Sequence, residues 1–558
     1  MTTIMLSAVW WGPVLGPNGM PALPGPVGTQ RPGATPTTAG TTAAPTDGPT
    51  AQPSTPATPS TSAAPSKPAT PEPTDHIRGQ VIVRFVAGAD RDAVLQRAAR
   101  ASGVTNPQVQ RELATGAHLV QVAGDAKAFS AALAADPGVV NAQVNGKVRR
   151  AATATDPRYP QQWSLHPVTD TSAGSINIGP AWDRSLGAGA RVAVLDSGRT
   201  NHPDLVGAWL GGYDFIADAI DAGDGNGRDG DPTDPGDYCL DTSEVSSWHG
   251  THVAGIVGAR RNNGIGVAGV APTARIVPIR VLGRCQGSEA DLIDAMVWAA
   301  GGKVPGMAPN PYPARVLNMS LGIEAGCYTE MGIAVRAVRN LGALPVVAAG
   351  NFSKDASTFS PGNCQGAFTV ASNTRDAGRA SYSNYGLAVN LAAPGGDGTS
   401  NPIVSTILAD TYTNQGGYTY EGMSGTSMAA PHVAGVAALL LSLNPRLTLA
   451  QLEAILVESA RRAPSCDGCG AGILDAAAAV ARVPQLASAG VSGQALTLSG
   501  SGFTRVTEVW VGSKQASFTT VDDRRITATL PAGLAPGRHA VWVVTGGVRS
   551  GTVLVTVG

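Results

Sequence analysis

Gly425-Thr426-Ser427-Met428-Ala429-Ala430-Pro431-His432 leads directly into an apolar run that continues from Val433 to Leu443. The pattern predicts a buried helix with a serine hydroxyl at its mouth, lifted clear of the core and held still as a nucleophile must be. Read alone, Gly-Thr-Ser before a helix is an ordinary N-cap, where serine and threonine are preferred. Two distant stretches weigh against that plain reading. Val192-Ala193-Val194-Leu195-Asp196-Ser197-Gly198 is an apolar, β-rich run ending in an acid and a glycine turn, the signature of a buried parallel strand. Ligands of open α/β sheets gather outside such strand ends, which puts Asp196 where chemistry is expected. His249-Gly250-Thr251-His252-Val253-Ala254-Gly255 sets an imidazole at the start of a second helix. An Asp at a strand end is usually a turn former, and a lone His is usually structural. Acid, imidazole and hydroxyl together, in the order Asp, His, Ser, point instead to nucleophilic catalysis.

These three segments resemble those of the subtilisin-like serine proteases (subtilases), which keep that chain order. The resemblance covers roughly residues 155 to 483. It implies Ser427 as nucleophile, His249 as general base, and Asp196 as the acid that holds the imidazole tautomer. His252 is expected to face another way and to pack structurally. Val346-Val347-Ala348-Ala349-Gly350-Asn351 reads as a buried strand ending in a carboxamide. By resemblance Asn351 is the side-chain donor to the oxyanion, with the Ser427 backbone N–H as the other. Asn318-Met319-Ser320-Leu321-Gly322 resembles the edge segment that pairs with an extended substrate. Ser320, Leu321 and Gly322 would form one wall of the main specificity pocket, and Ala348, Ala349 and Gly350 the other. Small apolar walls lead us to expect a large hydrophobic or aromatic residue before the cut bond, with the pocket floor somewhere in Phe352 to Cys364.

The 558 residues call for more than one domain. A net charge of −1 gives no sign of a nucleic-acid partner, and no sequence run reaches the length of a membrane span. Residues 1–27 hold an apolar patch, Ile4 to Leu15, of the kind a secretory signal presents, though no Lys or Arg precedes it. Residues 28–75 are dominated by Pro, Thr, Ala and Ser and predict a flexible, semi-extended linker. Residues 76–150 alternate as strand, helix, strand, helix, strand, close to a split β-α-β unit. They resemble the propeptides of subtilases, which assist folding and then block the cleft. Arg149-Arg150-Ala151 marks the expected region of self-maturation. After the catalytic stretch 151–483, residues 484–558 show short alternating strands and resemble an IPT/TIG-type immunoglobulin-like module. The expected architecture is therefore a parallel-sheet α/β catalytic domain between a ferredoxin-like α+β propeptide and a small all-β sandwich.

Six dispersed cysteines suit disulfides in an oxidising compartment. Fifteen pairings are open, and neighbouring order favours Cys239–Cys285, Cys327–Cys364 and Cys466–Cys469. Zinc at Cys466 and Cys469 is the rival, but no second close pair or histidine cluster accompanies them. Calcium is the cofactor that the resemblance implies, in a structural role. Arg261, Asn263, Ile265 and Val267 look like the family's calcium loop, with Asp156 and Asp204 as the carboxylates. A second acidic tract, including Asp218, Asp221, Asp229 and Asp231, is expected as a further ion site. The reading is a secreted, monomeric endopeptidase acting on proteins or peptides, with its own propeptide as intramolecular inhibitor. Two rivals from other classes are a wall-binding protein with a dead subtilase domain, and an esterase. The intact set of catalytic residues weighs against the first. Ser427 in Gly-Thr-Ser-Met-Ala, rather than Gly-x-Ser-x-Gly, weighs against the second.

Overall fold

The computed structural model describes residues 3–6, 8–9, 76–146 and 154–558, except 241 and 243. The linker 28–75 and the Arg149–Ala151 region lie outside the described residues. The chain divides into two compact units, one containing 76–146 and the other 3–9 together with 154–558.

In the first unit, four antiparallel strands order as Thr105–Glu112, His118–Ala123, His76–Phe85 and Val139–Gly146. Helices Arg91–Ser102 and Ala126–Ala134 are N-capped by Asp90 and Asp125, whose carboxylates accept from the first-turn N–H groups. Val81, Val83, Val120 and Val122 meet Val94, Leu95, Phe129 and Leu133 in one core. This is the expected ferredoxin-like pattern with one strand added. Thr105–Glu112 is a solvent-exposed edge strand of mostly polar residues, so it carries no apolar alternation for sequence reading to detect.

The second unit is built on a seven-stranded parallel sheet. Its order is Leu391–Pro394, Phe368–Asn373, Leu344–Ala348, Val316–Met319, Arg191–Asp196, Arg275–Arg280 and Tyr213–Asp214. Both faces are covered, so its strands are apolar throughout. Val192 and Val194 face the core shared with helices His249–Gly258 and Thr426–Leu443. Ala193 and Leu195 face helices Glu289–Ala299 and Thr329–Asn340. Helix Thr426–Leu443 is long and apolar enough to cross a membrane, yet 89% of it is buried inside the protein.

Residues 485–557 form two antiparallel sheets. One comprises Gln485–Ser492, Ala495–Ser501, Arg525–Thr529 and Phe518–Asp522; the other holds Lys514–Ala516, Glu508–Val511, Gly537–Thr545 and Val553–Val557. Leu496, Leu498, Phe503, Val511, Ile526 and Val541 fill the space between them. Trp510 and Trp542 stack across neighbouring strands at 6.0 Å, an aromatic pair that sequence reading did not single out.

All three disulfides pair as neighbouring order suggested: Cys239–Cys285, Cys327–Cys364 and Cys466–Cys469. The zinc alternative is thereby excluded for Cys466 and Cys469.

Candidate active site

Asp196 ends its strand, and helix His249–Gly258 starts directly above it. Gly250 permits this approach, since a Cβ there would lie 2.4 Å from the Gly198 carbonyl and 3.2 Å from the Asp196 Cβ. His249 Nδ1 lies 2.7 Å from Asp196 Oδ1, which also accepts the Ser197 N–H at 2.8 Å. Both side chains are fully buried. His249 Nε2 is buried with no hydrogen-bond partner among the described residues.

The helix has a left-handed Trp248 at its N-cap and no side-chain cap. Its first donors find partners elsewhere, as helix N-termini require. His249 N–H donates to Ser247 Oγ at 3.2 Å, and Gly250 N–H to Ser197 Oγ at 3.1 Å. Each hydroxyl in turn donates to a buried carboxylate, Ser247 to Asp237 and Ser197 to Asp234. Burial raises the pKa of both carboxyls, and their mutual repulsion adds to the rise at Asp234.

Ser427 is the second residue of helix Thr426–Leu443, and Gly425, not a hydroxyl, is the N-cap. The plain capping reading therefore fails. Pro431 has no N–H to offer the Ser427 carbonyl four residues back. Ser320 Oγ supplies that donor instead at 2.7 Å, and Ser427 Oγ donates to the Ser320 carbonyl at 3.1 Å. Ser320 follows Met319, which pairs with Leu195 on the adjacent strand, so Ser427 and Asp196 sit at the carboxyl ends of neighbouring strands. Helices His249–Gly258 and Thr426–Leu443 pack together above them.

Asn351 completes the cluster. Its Oδ1 accepts from Thr426 N and Thr426 Oγ1, both at 2.9 Å. Two donors at Oδ1 fix the amide orientation and leave Nδ2 buried and unpartnered among the described residues. Thr426, Asn318 (whose Nδ2 donates to Ser320 Oγ at 3.0 Å), Ser197 and Ser247 were missed in sequence. Each is a polar residue within two positions of a motif residue, and that adjacency is the only signal they carry.

His252 points elsewhere, as expected. Its Nε2 lies 3.1 Å from the Glu421 carbonyl, and burial lowers its pKa to about 3.

Leu321–Glu324 is paired on both sides, with Phe359–Ser360 on one. Thr3–Leu6 pairs antiparallel with it, Met5 opposite Gly322 and Leu6 opposite Leu321, and on its other side with Gly287–Ser288. Ala8 and Val9 then pair with Gly425 and Ser424, just before Ser427. Residues 3–6 and 8–9, part of the stretch read in sequence as export-like, thus form two short strands paired beside these segments. Both segments expected as pocket walls lie against the buried ring of Phe359. A Cβ on Gly322 would lie 2.4 Å from Phe359 Cε1, and one on Gly350 2.9 Å from Phe359 Cγ.

The loop around residues 261–267 wraps two buried carboxylates. Asp156 accepts the Asn262 and Asn263 N–H groups at 2.9 and 3.2 Å; Asp204 accepts Val267 N–H at 2.8 Å and Asn263 Nδ2 at 2.7 Å. Among the described residues neither is in an ion pair, and burial pushes Asp204 up to about 6. An all-oxygen set of carboxylates, carboxamide and loop carbonyls matches the donor chemistry of a hard cation.

The second acidic tract behaves differently. Asp218 caps helix Ala219–Ala222, Asp229 and Asp231 close turns on Asp231 N–H and Thr233 N–H, and Asp221 accepts from Gln286. No three His, Cys, Asp or Glu side chains among the described residues converge to hold a metal. Asp218, Asp229 and Asp231 are thus engaged by local backbone.

The subtilase family profile matches residues 187–491, an IPT/TIG domain matches 484–557, and a fervidolysin N-terminal prodomain matches 62–145. The chain belongs to the subtilase family of serine proteases, with an N-terminal prodomain and a C-terminal IPT/TIG domain. It is 44% identical over 403 residues to an extracellular protease of Xanthomonas campestris pv. campestris, covering 70% of this chain and 67% of that protein. It is 41% identical over 369 residues to an extracellular basic protease of Dichelobacter nodosus, covering 62% of this chain and 59% of that one. A solved protease structure from Pseudoalteromonas arctica superposes with a TM-score of 0.57 at 45% identity, over 59% of this chain and 99% of that one.

Proposed function

We propose that the chain is a secreted serine endopeptidase that cuts peptide bonds in extracellular proteins through an Asp196–His249–Ser427 triad. Ser427 Oγ attacks the scissile carbonyl carbon while His249 Nε2 takes its proton. Asp196 holds the imidazole with Nδ1–H directed at its carboxylate and stabilises the imidazolium. The oxyanion accepts from Asn351 Nδ2 and from the Ser427 N–H, one of the donors a helix start leaves unsatisfied. Collapse of the intermediate breaks the C–N bond, His249 protonates the leaving amine, and an ester on Ser427 remains. Water, deprotonated by His249, then attacks that ester and releases the acid. The observation that carries this reading is the His249–Asp196 contact of 2.7 Å, which leaves the far imidazole nitrogen buried and unpartnered among the described residues, on a helix that packs against the Ser427 helix.

The prodomain supports a zymogen whose cleft is blocked until the enzyme cuts itself near Arg149–Ala151. Relatives named as extracellular proteases, together with three disulfides, support secretion. Replacing Ser427 by alanine should leave the precursor uncut and lower kcat by about 10⁶-fold. Normal processing of that variant, read by mass spectrometry, would defeat the triad and self-maturation together.

Asp156, Asp204, Asn263 and the carbonyls of Arg261, Ile265 and Val267 would hold a structural calcium ion, which supplies charge balance rather than catalysis. Asp204 has a folded pKa above its ordinary value, so its contribution to stability is present below about pH 4 and is lost as pH rises through about 6. A cation offsets that loss. Chelator should therefore lower the melting temperature more at pH 8 than at pH 5. An equal or absent shift at both pH values would remove the ion.

A further inference from the structure

We propose that Phe359 closes the main specificity pocket, so that this enzyme cuts after small residues (Ala, Ser, Gly or Thr) and discriminates against Phe, Tyr and Leu. The inference rests on the endopeptidase reading above and deepens it. It also reverses the preference that the small walls suggested in sequence.

The two walls are glycine-bearing backbone, and their glycines face one object. Gly322 sits against the Cε1 and Cζ end of the Phe359 ring, 2.4 and 2.7 Å from where a Cβ would be; Gly350 sits against Cγ and Cδ1, at 2.9 and 3.1 Å. The ring therefore reaches from one wall to the other, filling the volume a large substrate side chain would need. Several constraints hold it there. Phe359–Ser360 is a strand paired with Ile323–Glu324, the continuation of the first wall. Asn363 donates to the Ala325 and Ser357 carbonyls, both at 2.8 Å, and Cys364 is bonded to Cys327. Phe359 is 1% exposed and packs on Phe352 at 5.7 Å. A ring so placed cannot swing aside without breaking this packing.

Cleavage-site profiling of the mature enzyme on a mixed peptide digest, read by mass spectrometry, tests the inference. It is paired with kcat/KM on succinyl-Ala-Ala-Pro-Ala and succinyl-Ala-Ala-Pro-Phe p-nitroanilides. Wild type should favour the Ala substrate by about tenfold or more, the scale on which an occupied pocket rejects bulk. Phe359→Gly should raise kcat/KM for the Phe substrate by about tenfold or more while changing the Ala substrate far less. Phe359→Leu, which retains an apolar side chain, should fall between and serves if the glycine variant does not fold. A wild-type profile led by Phe, Tyr or Leu, or variant profiles indistinguishable from wild type, would overturn the assignment while leaving the endopeptidase intact. A wild type that cuts no peptide overturns both.

Discussion

The two halves of the candidate active site are held in place by different means. The acid–imidazole half is anchored through buried acids. His249 stands on a helix start beside the strand end that carries Asp196, and the N–H groups of that start lead, through Ser247 and Ser197, to Asp237 and Asp234. The serine half is anchored through backbone. Ser427 is positioned by a glycine-started helix, a proline that vacates one carbonyl, and a single neighbouring hydroxyl that fills the vacancy. A group that must change protonation is thus surrounded by titratable neighbours. A group that must only point correctly is surrounded by rigid, uncharged ones.

Single substitutions can break this contrast. Asp196→Asn should have the largest effect, lowering kcat by about 10⁴-fold because the wrong imidazole tautomer is held, with little change in fold. A loss under tenfold would show that Asp196 is merely structural. Asn351→Ala should come next, costing about 10²–10³-fold in kcat with KM nearly unchanged, since its amide acts on charge that appears only in the transition state. A rise in KM alone would instead make it a binding residue. Ser320→Ala should be the mildest and act on stability. Loss of the donor to the buried Ser427 carbonyl should cost about 1–3 kcal/mol in urea unfolding. If unfolding is unchanged, the backbone anchoring does not depend on that hydroxyl.

The residues legible in sequence were those whose chemistry contradicts their surroundings. Asp196, His249, Ser427 and Asn351 each interrupt or open an apolar segment, and the structure brings Asp196 to His249 and Asn351 to the Ser427 helix. Asp156 and Asp204 were singled out through resemblance, and the structure gathers both around one loop, whereas Asp218, Asp229 and Asp231 each close a local turn. Counting carboxylates does not reveal which of them one loop gathers. Phe359 lay within the segment expected to carry the pocket floor but could not be picked out of it; two glycines distant in sequence meeting one ring single it out. The edge strand Thr105–Glu112 was invisible for the opposite reason, since a polar strand at a sheet margin keeps no hydrophobic rhythm.

The pairing of Thr3–Leu6 with Leu321–Gly322 has a consequence for handling the protein. Without that segment, a row of main-chain donors and acceptors would stand open near Ser427. Such a margin accepts any extended polypeptide without regard to its origin. Loosened stretches of sister molecules would fit it as well as any other extended chain, so activity should decay faster in concentrated solutions than in dilute ones.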